Sequence, residues 1–508
     1  MTRMDLTQRS AAELVARRAG IDTYQSPIVY MRADCAICRS EGFEAQARVE
    51  IEHGARTLIA TVHHVLADWL APGEAALSEG AWRTLALEGG ELLSVRHPPV
   101  LESERHIRAK VYGVPLDAGK LRTIMQDAVS TRLSDLHLAS FVTACAGDRM
   151  SVDETVALTR SMVEVGERLS WPQSPVMDKH CVGGLPGNRT TPLVVAIVTA
   201  CGLVMPKTSS RAITSPAGTA DAMETLAPVD LDLASMRRVV ERVGGCIVWG
   251  GAVQLSPADD VLIRVERPLD LDGSSQLVAS VLSKKVAAGS QRVVIDIPVG
   301  PTAKVRSDAA ATELSALLDH VAGAVGLSLR IVRTDGTQPV GRGIGPALEA
   351  RDVLAVLQRD PRGPADLRER ALMLAGHVLE LGGHAAAGQG IVRARQALDS
   401  GRAWDQFLAI CEAQGGLHTP PVAPHVAPFL STRAGIVAAL DNRKLAMVAK
   451  LAGAPASKAA GITLDVKPGE RIERGQPLLH LHAQTAGELA YARAYALAQE
   501  LFTLEDPP

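Results

Sequence analysis

Residues 176–191 read Val-Met-Asp-Lys-His-Cys-Val-Gly-Gly-Leu-Pro-Gly-Asn-Arg-Thr-Thr. The apolar pair Val176 and Met177 leads into a loop holding Gly183, Gly184 and Gly187, and the apolar run Pro192–Ala200 follows directly. That is the pattern of a strand, a glycine loop and a helix start. Glycines let a backbone approach a ligand closely, and the free amides at the start of the next helix attract negative charge. Lys179 adds a full positive charge, His180 a group that donates or accepts near neutral pH, and Thr190 and Thr191 add hydroxyls. The stretch reads as an anion cradle with phosphate as its natural guest; a turn whose glycines serve the backbone alone is the competing reading. No Gly-Lys-Ser/Thr closes the loop and its spacing is not the dinucleotide fingerprint, so an ATP-type or dinucleotide site is excluded.

Working outward, strands alternate with helices on the C-terminal side. Leu203–Pro206 is strand-like, Pro216 suits the first turn of a helix through Leu226, and Asp232 suits the cap of a helix over Leu233–Val243. Gly244-Gly245 stops that helix before a strand at Cys246–Trp249; then come a strand at Val293–Val299, a helix from Asp308 to about Ala324 and a strand at Leu327–Val332. Strands separated by helices of this length predict a mainly parallel sheet, whose ligands bind at the carboxyl ends of the strands. On the N-terminal side the period is helical: Ala118–Val129, a helix opened by Ser134, and a third opened by the capping box Ser151-Val-Asp-Glu154. Before that, the alternation in Ala47-Arg-Val-Glu-Ile-Glu and Thr57-Leu-Ile-Ala-Thr-Val suits half-buried strands.

The 508 residues suffice for about three or four domains. The expected architecture is multidomain α/β: a small β-rich module over 1–95, and a helical domain over 96–172 with about 255–290. A central α/β domain then takes 173–254 with 291–420, and a barrel-like α+β domain 421–508. Within the last, Val466-Lys-Pro-Gly-Glu-Arg-Ile-Glu-Arg-Gly resembles the barrel of swinging-arm carriers, but the lysine is misplaced for one and the segment is read as structural. A net charge of −3, an aromatic content of 3% and the lack of any basic run argue against nucleic acid. No segment is apolar for long enough to span a membrane and the N-terminus has no secretory pattern, so a cytoplasmic protein is expected. Seven scattered cysteines fit reduced thiols; Cys35 and Cys38 lack a second ligand pair for zinc, and no metal is expected.

A second cluster, Lys207-Thr-Ser-Ser-Arg-Ala-Ile-Thr-Ser-Pro-Ala-Gly-Thr-Ala-Asp221, gathers hydroxyls and Arg211 between a strand and a helix. Taken singly each hydroxyl is a cap; together they suit an oxyanion or a sugar. A third, Leu269–Lys285, places Ser280 and Lys284 on one face if a helix starts near Ser274, with Asp272 just ahead; on pattern alone Lys284 and Lys285 read as a solvated helix end. Lys304 lies just beyond a strand end.

Together the Lys179-His180 pair, the glycine loop, Ser209, Thr219 and Ser280-Val-Leu-Ser-Lys-Lys285 resemble the motifs of the thymidine phosphorylase family from about residue 100 onward. Pro186-Gly-Asn-Arg-Thr-Thr191 and the 207–221 segment are similar to its AMP phosphorylase branch, in which a long N-terminal module is also found. The resemblance implies a pentosyltransferase: reversible phosphorolysis of an N-glycosidic bond, giving free base and pentose 1-phosphate, or ribose 1,5-bisphosphate from a nucleotide. It further implies a homodimer or higher homo-oligomer, a nucleoside or nucleoside 5′-monophosphate as small-molecule partner, and no cofactor beyond inorganic phosphate as co-substrate. By motif match, Lys179, Gly184, Thr191, Ser209 and Thr219 would hold phosphate, and His180, Ser280 and Lys284 would face the base. The loop Ser210, Arg211, Ala212, Ile213, Thr214, Ser215 and Lys304 would contact substrate, and Asp272 would donate the proton. Cys181 replaces the family's usual serine. Asp259 stands where the pyrimidine enzymes carry an arginine; a carboxylate there repels a base carbonyl and accepts from an exocyclic amino group. A pyrimidine-specific thymidine phosphorylase, an anthranilate-type phosphoribosyltransferase and a non-catalytic nucleotide binder are the alternatives.

Overall fold

The computed structural model describes residues 13–506 other than Gln25, Ile213, Thr214, Gln254, Asp270 and Asp272. Two compact units emerge, residues 1–161 with 258–273, and residues 162–257 with 274–508.

The smaller unit begins with a closed six-stranded barrel. Glu13–Arg18 pairs in parallel with Glu74–Leu77, and Ile28–Arg32 in parallel with Arg56–Val65; Arg48–His53 and Leu92–Arg96 complete the wall. Alternating Val49, Ile51, Leu58, Ala60 and Val62 point inward, so the barrel closes on its own core. Cys35 and Cys38 lie inside it: Cys35 Sγ accepts from the Cys38 amide at 3.2 Å and caps the helix Ala36–Glu41. Four helices follow, Glu102–Val111, Ala118–Val129, Asp135–Cys145 and Val152–Glu164. Three are where the sequence predicts, and Asp117, Ser134 and Ser151 accept there from amides three residues on. The first is not foreshadowed, because Glu-Ser-Glu-Arg-His-Ile-Arg-Ala-Lys-Val carries little apolar periodicity; Ile107 is buried there beside Ser103 and Lys110.

In the larger unit the parallel strands are Ser328–Asp335, Arg292–Val299 and Met177–Cys181. The parallel bridge Val176↔Val204 leads to a second parallel pair, Met205–Ser209 with Gly245–Trp249. The helix Thr190–Ala200 is buried from Thr190 to Thr199, as an all-round apolar helix must be, and it packs on Ala365–Leu381 and Arg402–Gln414. The helix Ser274–Ala287 starts where expected, yet it belongs with this unit and not with the helical domain; its Lys285 is ion-paired to Asp178 in the strand Met177–Cys181. The C-terminal part forms antiparallel sheets of four and three strands with two helices, and takes Gly343–Ile344 into its own sheet. Among the described residues the N-terminal barrel is the closed one, so the C-terminal part is two sheets and not a barrel. Lys467 donates to the carbonyls of Pro339 and Gly341 and to Asp366, a staple between segments and no carrier lysine.

Candidate functional site at the strand ends

The deciding stretch folds as read, with one shift: Asp178, Lys179, His180 and Cys181 belong to the strand, and the loop begins at Val182. Gly184 has φ +80°, and a Cβ there would lie 2.2 Å from the Lys304 amide nitrogen, so its hydrogen side chain is what lets the Lys304 backbone close on the loop. Gly187 has φ +67°, with the Val340 carbonyl 2.3 Å from where a Cβ would be; the Asn188 backbone amide donates to that same carbonyl. Gly183 has open space beside it. The loop is thus pinned at two points and open at a third.

Lys179 is 1% exposed and its ammonium donates to Thr190 Oγ1 at 2.7 Å, joining the strand to the helix start. Cys181 Sγ accepts from the Asn188 side-chain amide at 3.4 Å, and burial pushes its thiol up to about 12, so it stays neutral. Beside Lys179, the carboxylate of Asp178 is 0% exposed and meets Lys207 at 3.1 Å and Lys285 at 2.8 Å. Both lysines are buried as well. Burial alone would raise the Asp178 carboxyl; the two ammoniums more than offset that and hold it below its ordinary value. Burial, then the positive charges of Lys285, Lys207, Lys284 and Lys179, push His180 well below its ordinary value, so it works as a neutral imidazole. The reading of Lys285 as a solvated helix end is therefore corrected. The signal was present: Lys285 follows Val278, Val281 and Leu282 by seven, four and three residues, on the stripe those residues bury.

The hydroxyl-rich segment is ordered by charge. Arg189 donates to Glu349 at 2.7 Å, to Thr219 Oγ1 at 2.7 Å and to the Ala217 carbonyl at 2.9 Å, tying the glycine loop to the helix Thr219–Glu224. Arg211 forms a bidentate pair with Glu224 at 2.8 and 2.7 Å, with Asp230 and Asp221 beyond, and stacks on Trp249 at 4.7 Å. Its guanidinium is thus engaged by protein carboxylates and by the Trp249 ring. Asp221 accepts from the amides of Ala212 and Gly218 and closes the loop. Ser215 donates to the Ala217 carbonyl, and Ser209 ends its strand beside Trp249, half-buried, with Ser210 exposed next to it. On the helix Ser274–Ala287, Lys284 donates to Ser280 Oγ at 3.1 Å, as their spacing of four predicts. Asp259 is buried in the first turn of Pro257–Leu269, in the smaller unit. Ile213, Thr214 and Asp272 lie outside the described residues.

The arrangement is thus three buried lysines, on the strands Met177–Cys181 and Met205–Ser209 and the helix Ser274–Ala287, with a neutral histidine two residues ahead of the glycine loop; burial pushes Lys285 down to about 7 against the pull of Asp178. Residues 173–404 match the model of the glycosyl transferase family a/b domain, 104–166 that family's helical bundle domain, and 436–499 the pyrimidine nucleoside phosphorylase C-terminal domain. A chain from Polaromonas sp. (strain JS666) named "Putative thymidine phosphorylase" is 62% identical over 99% of this chain and 98% of its own. The chain belongs to the thymidine phosphorylase family. A second relative, "Putative thymidine phosphorylase 1" of Acidovorax sp. (strain JS42), is 63% identical over 94% of both chains. A solved structure, anthranilate phosphoribosyltransferase from Thermus thermophilus, matches with a TM-score of 0.52 at 18% identity, covering 61% of this chain and 99% of that one. That likeness is one of fold. The thymidine phosphorylase family assignment rests on the full-length relatives and the three domain matches, which run in the expected order of helical bundle, α/β domain and C-terminal domain.

Proposed function

We propose that the chain catalyses reversible phosphorolysis of the N-glycosidic bond of a nucleoside or nucleoside 5′-monophosphate, with inorganic phosphate as attacking co-substrate. The observation that carries this is the buried ammonium of Lys179, on the strand that leads into the glycine loop, which turns to the neutral hydroxyl of Thr190, while Lys207 and Lys285 answer the carboxylate of Asp178. Buried positive charge left over from internal pairing is complementary to an anion. Phosphate would sit against Lys179, the amides near Gly184, and the hydroxyls of Thr191, Ser209 and Thr219. Cleavage builds positive charge on the sugar and negative charge on the leaving base; the phosphate answers the first and a proton donor the second.

His180 faces the lysines as a neutral group, so it serves the base as hydrogen-bond partner and leaves proton donation to Asp272. With a general acid removed, Asp272→Asn should lower kcat by roughly a hundredfold or more while the Kd for phosphate holds. Unchanged turnover would take Asp272 out of that role. Asp259 favours a base with an exocyclic amino group, as in AMP or CMP. The second reading, a nucleoside without 5′-phosphate such as thymidine, is favoured by the internal engagement of Arg211 and by the relatives' names. A phosphorolysis screen of thymidine, uridine, AMP, CMP and UMP, with and without phosphate and without added metal, decides between them by chromatography of the released base. Base release that needs magnesium and pyrophosphate in place of phosphate, with a pyrophosphate-bearing sugar as the other product, would overturn phosphorolysis in favour of phosphoribosyl transfer.

A further inference from the structure

Asp178 is absent from the groups just assigned to phosphate or base, yet its carboxylate is where three elements meet. It lies on the strand Met177–Cys181, which carries Lys179 and His180. Lys207 reaches it from the strand Met205–Ser209, which ends in Ser209. Lys285 reaches it from the helix Ser274–Ala287, which carries Ser280 and Lys284. Ser290, just past that helix, donates to the same carboxylate at 3.3 Å, and the Lys179 amide to its other oxygen at 2.7 Å. All of this is shut from water, where a carboxylate is tolerated only if its partners are held in place.

We infer that Asp178 is a positioning residue: through Lys207 it sets the strand that presents Ser209 to phosphate, and through Lys285 the helix that presents Ser280 and Lys284 to the base. The inference rests on the phosphorolysis reading for what each arm presents. The two tethers are separate ion pairs from separate elements, so their loss has separate consequences. A hub that merely added stability would affect both substrates alike.

The test compares Lys285→Met, Lys207→Met and Lys285→Arg in the full chain. Each methionine variant leaves one lysine neutralising Asp178, a gentler change than Asp178→Asn, which sets two buried ammoniums face to face. Phosphate affinity is measured by calorimetry with inorganic phosphate alone, and nucleoside KM by base release. Lys285→Met is expected to raise nucleoside KM roughly tenfold or more with phosphate Kd within about threefold; Lys207→Met should weaken phosphate roughly tenfold, and Lys285→Arg should recover most of the nucleoside KM. Equal changes in both constants for both variants, or a lowered melting temperature with neither constant changed, would overturn the positioning role. If the wild type releases base from no nucleoside and no nucleoside 5′-monophosphate, the phosphorolysis reading fails. The phosphate Kd contrast between Lys207→Met and Lys285→Met then decides the hub by itself: a contrast supports it and equal values overturn it.

Discussion

Arg189 is the residue whose environment most constrains its neighbours. Its guanidinium meets the nearly inaccessible carboxylate of Glu349 at 2.6 Å while holding Thr219 and the Ala217 carbonyl. Burial raises the Glu349 carboxyl to about 7, with Arg189 opposing the rise. A carboxyl raised on folding lends its full stability below its unfolded value near 4.5 and loses it as pH climbs through about 7. Removing Arg189 raises Glu349 further and leaves it without its charge partner. Arg189→Ala should therefore cost roughly 3 kcal/mol or more at pH 8, and distinctly less at pH 6, where Glu349 is already mostly protonated. Urea unfolding at the two pH values measures this. A cost independent of pH would show that Glu349 is ionised throughout. None of this was legible in the motif Pro186-Gly-Asn-Arg189, because an arginine beside a glycine loop looks like a ligand clamp until its distant partner, 160 positions on, is known.

At the scale of elements, local rules carried far. The helices Ala118–Val129, Leu233–Val243 and Asp308–Ala324 start at caps that are visible in sequence, Asp117, Asp232 and Ser307, each accepting from an amide three residues on. The strand Met177–Cys181 was only half visible, since Asp-Lys-His in its middle is tolerated by charge partners on other elements. The parallel pairings of the barrel were not visible at all, because periodicity marks a strand and not its neighbour. The helix Val152–Glu164 shows how a local device and a tertiary one share a residue. Ser151 and Glu154 exchange bonds at 3.1 and 2.9 Å as a capping box, and Glu154 also meets the buried ammonium of Lys110 at 2.6 Å and the Leu116 amide at 2.8 Å. Ser151→Ala loses one cap, worth about 1 kcal/mol. Glu154→Ala loses the cap and strands a buried Lys110, so the cost should be roughly 3–5 kcal/mol. Chemical denaturation of both variants checks the ratio; similar costs would mean that the Lys110 pair contributes nothing beyond capping.

For the larger unit as a whole, stability is shared between the parallel-sheet region and the C-terminal sheets through a few charged links. Lys458, in the segment ahead of the strand Gly461–Leu464, ion-pairs with Glu224 at the end of the helix Thr219–Glu224, and Arg211 grips both oxygens of that carboxylate. Lys467 and Asn442 make parallel links, to the Gly341 and Gly336 carbonyls. The Arg211 hydrogen bonds, against the effect of burial and with help from Lys458, hold Glu224 down at about 2 from an ordinary 4.5. A depressed carboxyl contributes stability that is complete above about 4.5 and disappears as pH falls toward 2. Glu224 is partly exposed, so solvent screening reduces the contribution to roughly 1–2 kcal/mol. Glu224→Gln should therefore be less stable than wild type by about that amount at pH 7, and the gap should narrow steadily as pH falls below about 4.5. Urea titrations at pH 7, 5, 4 and 3 follow the gap directly. If it stays constant to pH 3, the charge on Glu224 does not link these two regions, and the burden falls on Lys467 and Asn442.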